Sequence, residues 1–98
     1  MKLKIVDLEI PERLLLYVTF SVGAFPVSFG GIARGEEAQY IRKRLKLLAE
    51  ERAIWYEAVD KNGVFMTGIC TIKDLKFEET PTSPVLVKFS GRLVHPFI

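Results

Sequence analysis

Apolar and polar residues alternate along most of this chain, and the alternation gives way to another period only once. From Val85 to Leu93 every second residue is apolar or glycine, which places one side of an extended strand inward. Between Gly35 and Arg52 the spacing changes to three and four residues, as from Ile41 to Leu45. That spacing predicts an amphipathic helix. The sequence therefore predicts a β-rich domain that contains one helix.

Turn signals divide the rest of the chain into short strands. We expect strands over residues 3–10, 14–22, 25–29, 53–59, 64–77 and 85–93. Asn62-Gly63 predicts a hairpin between the fourth and fifth of these, because both residues tolerate positive φ. The order β-β-β-α-β-β-β predicts an α+β fold, mainly an antiparallel β sandwich or partly closed barrel with one helix packed on it.

The strand that returns from this hairpin changes the side of its apolar residues. Cys70 and Ile72 have even numbers, whereas Leu75 and Phe77 have odd ones. A single strand can change side in this way if it contains one extra residue, and we expect a bulge near Asp74. A bend at that point would let one strand serve two sheets.

Length and charge limit the classes of function. The 98 residues, about half of them apolar, predict a single domain over 1–98. The net charge is +2 with both signs interspersed, so nucleic acid is not the partner expected from composition. The apolar stretch from Leu14 to Val22 is too short for a membrane helix, and we expect a soluble protein without a membrane partner.

Side chains with reactive chemistry are few. Cys70 is the sole cysteine and lies in an apolar strand pattern, which predicts a buried structural thiol. His95 is the sole histidine, and we interpret it as a surface or interface residue. Gly30-Gly31 precedes the helix without the Lys-Ser/Thr of a phosphate-binding loop. We therefore expect no enzyme activity, no catalytic residue, no metal site and no cofactor.

Two sets of apolar residues are predicted to have structural roles. The helix face and the alternating strands predict a core that includes Ile41, Leu45, Trp55, Phe89 and Leu93. Large apolar residues beside a proline-limited edge and in the final segment predict an oligomer interface at Phe25, Pro26, Val27, Phe97 and Ile98.

The second half of the chain also carries a resemblance. Its elements are Leu45–Trp55, Asp60–Gly63, Gly68, Ile72–Leu75 and Val87–Leu93. These resemble the small tail-completion and baseplate proteins of contractile-tailed phages, in which a helix leads into a strand with a tryptophan and a glycine turn follows. Trp55, Gly63, Gly68, Phe89 and Leu93 would occupy the matching positions.

The resemblance implies a non-enzymatic structural subunit of a phage-tail-like or injection-type assembly. It implies a cyclic homo-oligomer, with a hexamer as the expected ring, and other tail or baseplate proteins as partners. It also implies a location in the virion tail, or in the cytoplasm during assembly.

The alternative is a small binding module, for nucleic acid, that uses the basic helix 36–52. The basic run Arg42, Lys43, Arg44 and Lys46 favours it, whereas pairs of glutamates at both ends make the sign of the helix mixed.

Overall fold

The computed structural model describes residues 1–23 and 25–97. Within these residues the chain forms seven β-strands and one α-helix, and a short 3₁₀ turn at Glu12–Leu14. The elements are β1 (Lys2–Ile5), β2 (Leu8–Ile10), β3 (Leu15–Phe20), β4 (Val27–Arg34), α1 (Gly35–Ala49), β5 (Ile54–Val59), β6 (Phe65–Thr80) and β7 (Leu86–Val94). The fold is α+β with the helix packed on an antiparallel sheet, as predicted.

All the strands join one antiparallel sheet, in the order β2-β1-β5-β6-β7-β4-β3, and the sheet does not close. The 16-residue β6 joins its two parts. Residues 65–70 of β6 pair with β5, and residues 71–80 pair with β7. We call β2, β1, β5 and residues 65–70 the first half-sheet, and residues 71–80, β7, β4 and β3 the second half-sheet.

The bulge predicted in β6 is confirmed. Lys73 pairs with Arg92 and Lys76 with Ser90, so β6 contains one residue more than β7 over this stretch. Asp74 adopts a φ of 55° there, a conformation that Asp tolerates better than most residues. Because of the extra residue, the inward side chains change from even to odd numbers, as the sequence pattern indicated.

The helix packs on the inner side of the sheet. It begins at Gly35, whose φ of 57° turns the chain out of β4 and whose N–H donates to the carbonyl of Val85 at 3.0 Å. Its side chains Ile41 and Leu45 are buried, and the helix contacts β4, β6 and β7. The predicted helix is therefore confirmed, although it ends at Ala49 rather than Arg52.

The core draws on both half-sheets and on the helix. Of the predicted core residues, Ile41, Leu45, Phe89 and Leu93 are buried in it. The prediction for Trp55 is wrong, because 51% of its surface is exposed. Trp55 pairs with Ile69 on the outer side of the hairpin, and the neighbouring Tyr56 takes the inner position.

The N-terminal strands differ from the prediction. The expected strand 3–10 is two strands, β1 and β2, joined by a tight turn at Val6-Asp7 where Val6 has a φ of 56°. In β3 a register shift between Leu15 and Tyr17 reverses the faces, so Leu14 and Leu15 are both buried and Leu16 is exposed. The alternation of apolar and polar residues cannot reveal such a shift when even- and odd-numbered positions of a strand are both apolar.

Gly30 and Gly31 do not end the third predicted strand, because β4 runs on to Arg34. Both positions lack room for a side chain. A Cβ at Gly31 would lie 2.3 Å from the carbonyl oxygen of Leu14, and one at Gly30 would lie 2.5 Å from the ring of Tyr17. The glycines therefore permit close packing inside a continuous strand.

Candidate functional site

The outer side of the β5–β6 hairpin carries large apolar side chains. Trp55 lies opposite Ile69, and Val59 lies opposite Phe65. Trp55, Ile69 and Phe65 are 51%, 46% and 54% exposed. We call Trp55, Val59, Phe65 and Ile69 the apolar face. Its aromatic and branched side chains are of the kind that interface cores contain.

A row of alternating charge crosses the first half-sheet between the Trp55–Ile69 pair and the Val59–Phe65 pair. Glu9 pairs with Lys4, and Lys4 pairs with Glu57 on its other side. Thr67 completes the row opposite Glu57. Because opposite charges are neighbours in this row, the apolar face lies in a surface without a dominant sign. Such a surface does not repel a second protein.

The outer side of the second half-sheet has a different chemistry. It carries cationic and hydroxyl-bearing side chains on several strands, and the ring of Tyr17 lies over Gly30. We call this surface the basic face and define it as Tyr17, Ser28, Lys76, Lys88, Ser90 and Arg92. Five of these residues, all except Lys88, line a shallow cavity of about 310 Å³ together with Asp74 and Gly91.

Cross-strand pairing orders the basic face. Tyr17 pairs with Gly30, Gly30 with Ser90, and Ser90 with Lys76, so these four form one row across the strands. In the next row Arg92 donates to the carboxylate of Asp74 at 2.5 Å. This ion pair holds the guanidinium in place, but both partners are about half exposed.

The basic helix residues make contacts within the chain. Arg42 donates to Glu79 at 3.0 Å, and Arg44 donates to Asp7 at 2.5 Å. Arg42 and Lys46 also approach the ring of Phe77, at 5.3 and 5.7 Å from its centre. These contacts attach the helix to β6 and the β1–β2 turn. They leave the helix less cationic charge for a nucleic acid than its sequence indicates.

The predicted oligomer interface is only partly available. The prediction is wrong for Val27, which is fully buried where β4 pairs with Leu93. Phe25 and Pro26 are half-buried, and Phe25 packs edge-on against Tyr56 with the ring centres 5.9 Å apart. Phe97 is 70% exposed and stays a predicted contact. Ile98 lies outside the described residues.

Cys70 is buried, as predicted, and burial raises the pKa of its thiol to about 12. The thiol is therefore protonated at neutral pH and is a poor nucleophile. His95 is exposed, and its ring packs edge-on against Phe25 and Phe97. Across residues 1–23 and 25–97, no group of three or more histidine, cysteine or acidic side chains is placed to hold a metal ion.

Sequence reasoning missed both outer faces. The segment Ile54–Val59 carries apolar residues in both phases of its alternation, and Glu57, in the same phase as Trp55, was the available signal that this phase faces outward. The basic face gave no comparable signal, because β4 and β7 bring together residues that are about sixty positions apart.

Comparisons with family models, with curated proteins and with solved structures find no significant match to this chain. In the described part of the chain, no helix has the length and apolar character needed to cross a membrane. Function is therefore inferred from the fold and from the chemistry of its two outer faces.

Proposed function

We propose that the protein is a non-enzymatic structural subunit that self-assembles, and that the apolar face forms one side of the contact between copies. The observation that carries this proposal is the exposure of Trp55, Phe65 and Ile69 on one side of a hairpin. The Glu57–Thr67 pair separates the two apolar pairs, so the face is not one continuous apolar surface, but exposed aromatic and branched side chains grouped in this way are typical of interaction sites.

Closed rings need a contact between two different surfaces, because a face that meets itself gives a two-fold dimer. The second surface that we propose is the segment around Phe97, which is the most exposed aromatic side chain of the described residues. Phe97 of one copy would pack on the apolar face of the next. A fully buried aromatic side chain contributes roughly 1.5–3 kcal/mol, so several such residues are needed to offset the entropy lost on docking.

The resemblance to phage tail-completion and baseplate proteins extends this proposal to a specific setting. In that setting the ring would be a component of a phage-tail-like or injection-type assembly, with neighbouring tail or baseplate proteins as partners. A hexamer is the ring that the resemblance implies. Neither the apolar face nor Phe97 determines the number of subunits, which depends on the rotation between neighbours.

Sedimentation and negative-stain electron microscopy test the assembly proposal. We expect the wild-type chain to form rings as its concentration rises, and the double variant Trp55→Ser, Phe65→Ser to remain a monomer. The matched control is Tyr40→Ser, Leu47→Ser, which removes exposed apolar groups from the helix. The proposal fails if wild type stays monomeric at high concentration, or if the control variant is equally impaired.

Mixing variants tests whether the contact joins two different surfaces. Phe97→Ser alone should also prevent ring formation. A mixture of Phe97→Ser with the Trp55→Ser, Phe65→Ser variant retains one intact surface on each chain, and should give heterodimers that cannot grow. If Phe97→Ser chains dimerise normally, the apolar face pairs with itself and the ring is excluded.

A further inference from the structure

Charges that are interspersed along the sequence become segregated in the fold. On the outer side of the second half-sheet, β6 and β7 present Lys73, Lys76, Lys88 and Arg92, against the acidic Asp74 and Glu78. On the first half-sheet the basic Lys2 and Lys4 are matched by Glu9 and Glu57. Only the second half-sheet therefore has an excess of positive charge on its outer side, and that excess is complementary to a polyanion.

Tyr17 supplies this surface with an exposed aromatic ring. A Cβ at Gly30 would lie 2.5 Å from Cε1 of the ring and 2.7 Å from its Cζ, so the ring rests directly on the glycine backbone. Tyr17 is 38% exposed, so part of the ring is accessible to solvent. An accessible aromatic ring fixed against a sheet is a group on which a nucleobase can stack.

The remaining groups of the basic face lie within reach of a strand bound at Tyr17. Ser28 and Ser90 place hydroxyl groups beside the ring, in the same cavity as Lys76 and Arg92. Tyr17 and Lys76 lie three strand spacings apart along their row, a distance of roughly 14 Å. A few nucleotides cover this distance, so one strand could contact the ring and the cations together.

We propose that the basic face binds single-stranded nucleic acid, with a base stacked on Tyr17 and phosphates held by Lys76, Lys88 and Arg92. A single strand fits this surface better than a duplex, because bases in a duplex are already stacked and cannot reach a ring on a flat sheet. Arg92 is paired with Asp74, as the helix arginines are with Glu79 and Asp7, but among the described residues Lys76 and Lys88 make no ion pair. The inference does not rest on the proposed assembly, which uses the other half-sheet.

Fluorescence anisotropy with a labelled twelve-nucleotide oligothymidylate tests the phosphate contacts. Each phosphate contact to a single strand contributes about −0.7 to the slope of log affinity against log salt. The variant Lys76→Gln, Lys88→Gln should bind at least about 10-fold more weakly at low salt, with a slope flatter by about 1.4. The matched control, Lys43→Gln, Lys46→Gln, removes the same charge from the helix and should bind as wild type does.

Substitution of Tyr17 tests the stacking contact. Tyr17→Leu still covers Gly30 with an apolar group but removes the ring, and should weaken binding by roughly 5- to 100-fold. Tyr17→Phe keeps the ring and should bind normally, and Tyr40→Leu on the helix should have no effect. Circular dichroism and urea titration identify any variant that has lost its fold, and Tyr17→Phe gives a second reading if Tyr17→Leu unfolds.

Several results would overturn the proposal. One is the absence of wild-type binding at low salt, and another is an equal loss in the helix control variant. A third is binding to heparin, which has no bases, as tightly as to the oligonucleotide, combined with no effect of Tyr17→Leu. That combination would show a general polyanion surface without base stacking.

Discussion

The two outer faces of the sheet share one strand and differ in almost every other respect. Before the bulge, β6 presents Phe65 and Ile69 outward beside Trp55. After the bulge, it presents Lys76 and Glu78 outward beside the cations of β7. Lys73 is also outward and precedes the bulge, so the charged surface begins where β6 leaves β5 and starts to pair with β7. One long strand shared by two half-sheets is enough to give a small domain two distinct surfaces.

On their inner sides the two half-sheets have the same apolar chemistry. Buried residues of the first half-sheet, such as Tyr56, and of the second, such as Phe29 and Phe89, belong to the same apolar cluster. The two half-sheets should therefore behave as one unit in folding, while their outer faces act independently in binding. The predictions below test this contrast, beginning with the largest expected effect.

Cys70 reports on the point where the two half-sheets meet. It is the last β6 residue paired with β5, and the next residue, Thr71, pairs with β7. Because burial raises the pKa of this thiol to about 12, its thiolate fraction at pH 8 is lower than that of an exposed thiol by about a thousandfold. We expect disulfide-exchange labelling of the native chain to be slower than labelling of the urea-unfolded chain by at least this factor.

The rate of labelling also tests whether the two half-sheets open together or separately. Labelling at a rate close to that of the unfolded chain would show that β5 and β7 separate readily at β6. The two half-sheets would then open independently, contrary to a shared core.

Phe89→Ala tests the cooperativity of the two halves. Phe89 is buried in the second half-sheet, and a Cβ at Gly31 would lie 2.6 Å from its ring, which indicates tight packing. Truncation should lower the free energy of unfolding by about 3–5 kcal/mol. In urea titration, the fluorescence of Trp55 in the first half-sheet should shift to the same lower midpoint as far-ultraviolet circular dichroism. A Trp55 signal that keeps the wild-type midpoint would show two separate folding units.

Substitutions of Asp74 test the bulge within the second half-sheet. The φ of 55° at this position is strained for a β-branched residue, so Asp74→Val should destabilise the protein by about 1–2 kcal/mol. Asp74→Gly relieves this constraint and loses only an exposed ion pair with Arg92, which is worth about 0–1 kcal/mol. Urea titration of both variants measures the difference. Equal stabilities would mean that the backbone conformation of the bulge contributes nothing.

Several elements were predictable because their signals are local. The helix follows from its three- and four-residue spacing, and the β5–β6 hairpin from Asn62-Gly63. In that turn the side chain of Asp60 accepts hydrogen bonds from the N–H groups of Asn62 and Val64 at 2.9 Å. The bulge near Asp74 followed from a change of phase in a single strand. In each case, residues adjacent in sequence determine the conformation.

Other features had no local signal. Val6 occupies a positive φ in the β1–β2 turn without the glycine or asparagine that usually marks such turns. The basic face arises from pairing of β4 with β7, which lie on opposite sides of the helix in the sequence. The sequence places Trp55 wrongly when residue size is given more weight than Glu57, the charged residue in the same phase. In the structure the buried core side chain is Tyr56, and Trp55 faces outward.

The position of Trp55 leads to the smallest predicted change in stability. A buried tryptophan replaced by alanine would cost about 3–5 kcal/mol, whereas substitutions on an exposed surface usually change stability by less than about 0.5 kcal/mol. Because Trp55 is half exposed and contacts Ile69 across the strands, we expect Trp55→Ala to cost less than about 1 kcal/mol in dilute, monomeric protein. Far-ultraviolet circular dichroism during urea titration measures this, since the variant lacks the fluorescent probe. If wild type assembles as proposed, the same substitution should have a larger apparent effect at high concentration, because assembly would stabilise only the folded wild-type chain. A cost above about 3 kcal/mol at low concentration would place Trp55 in the core, and the apolar face would then lose its largest member.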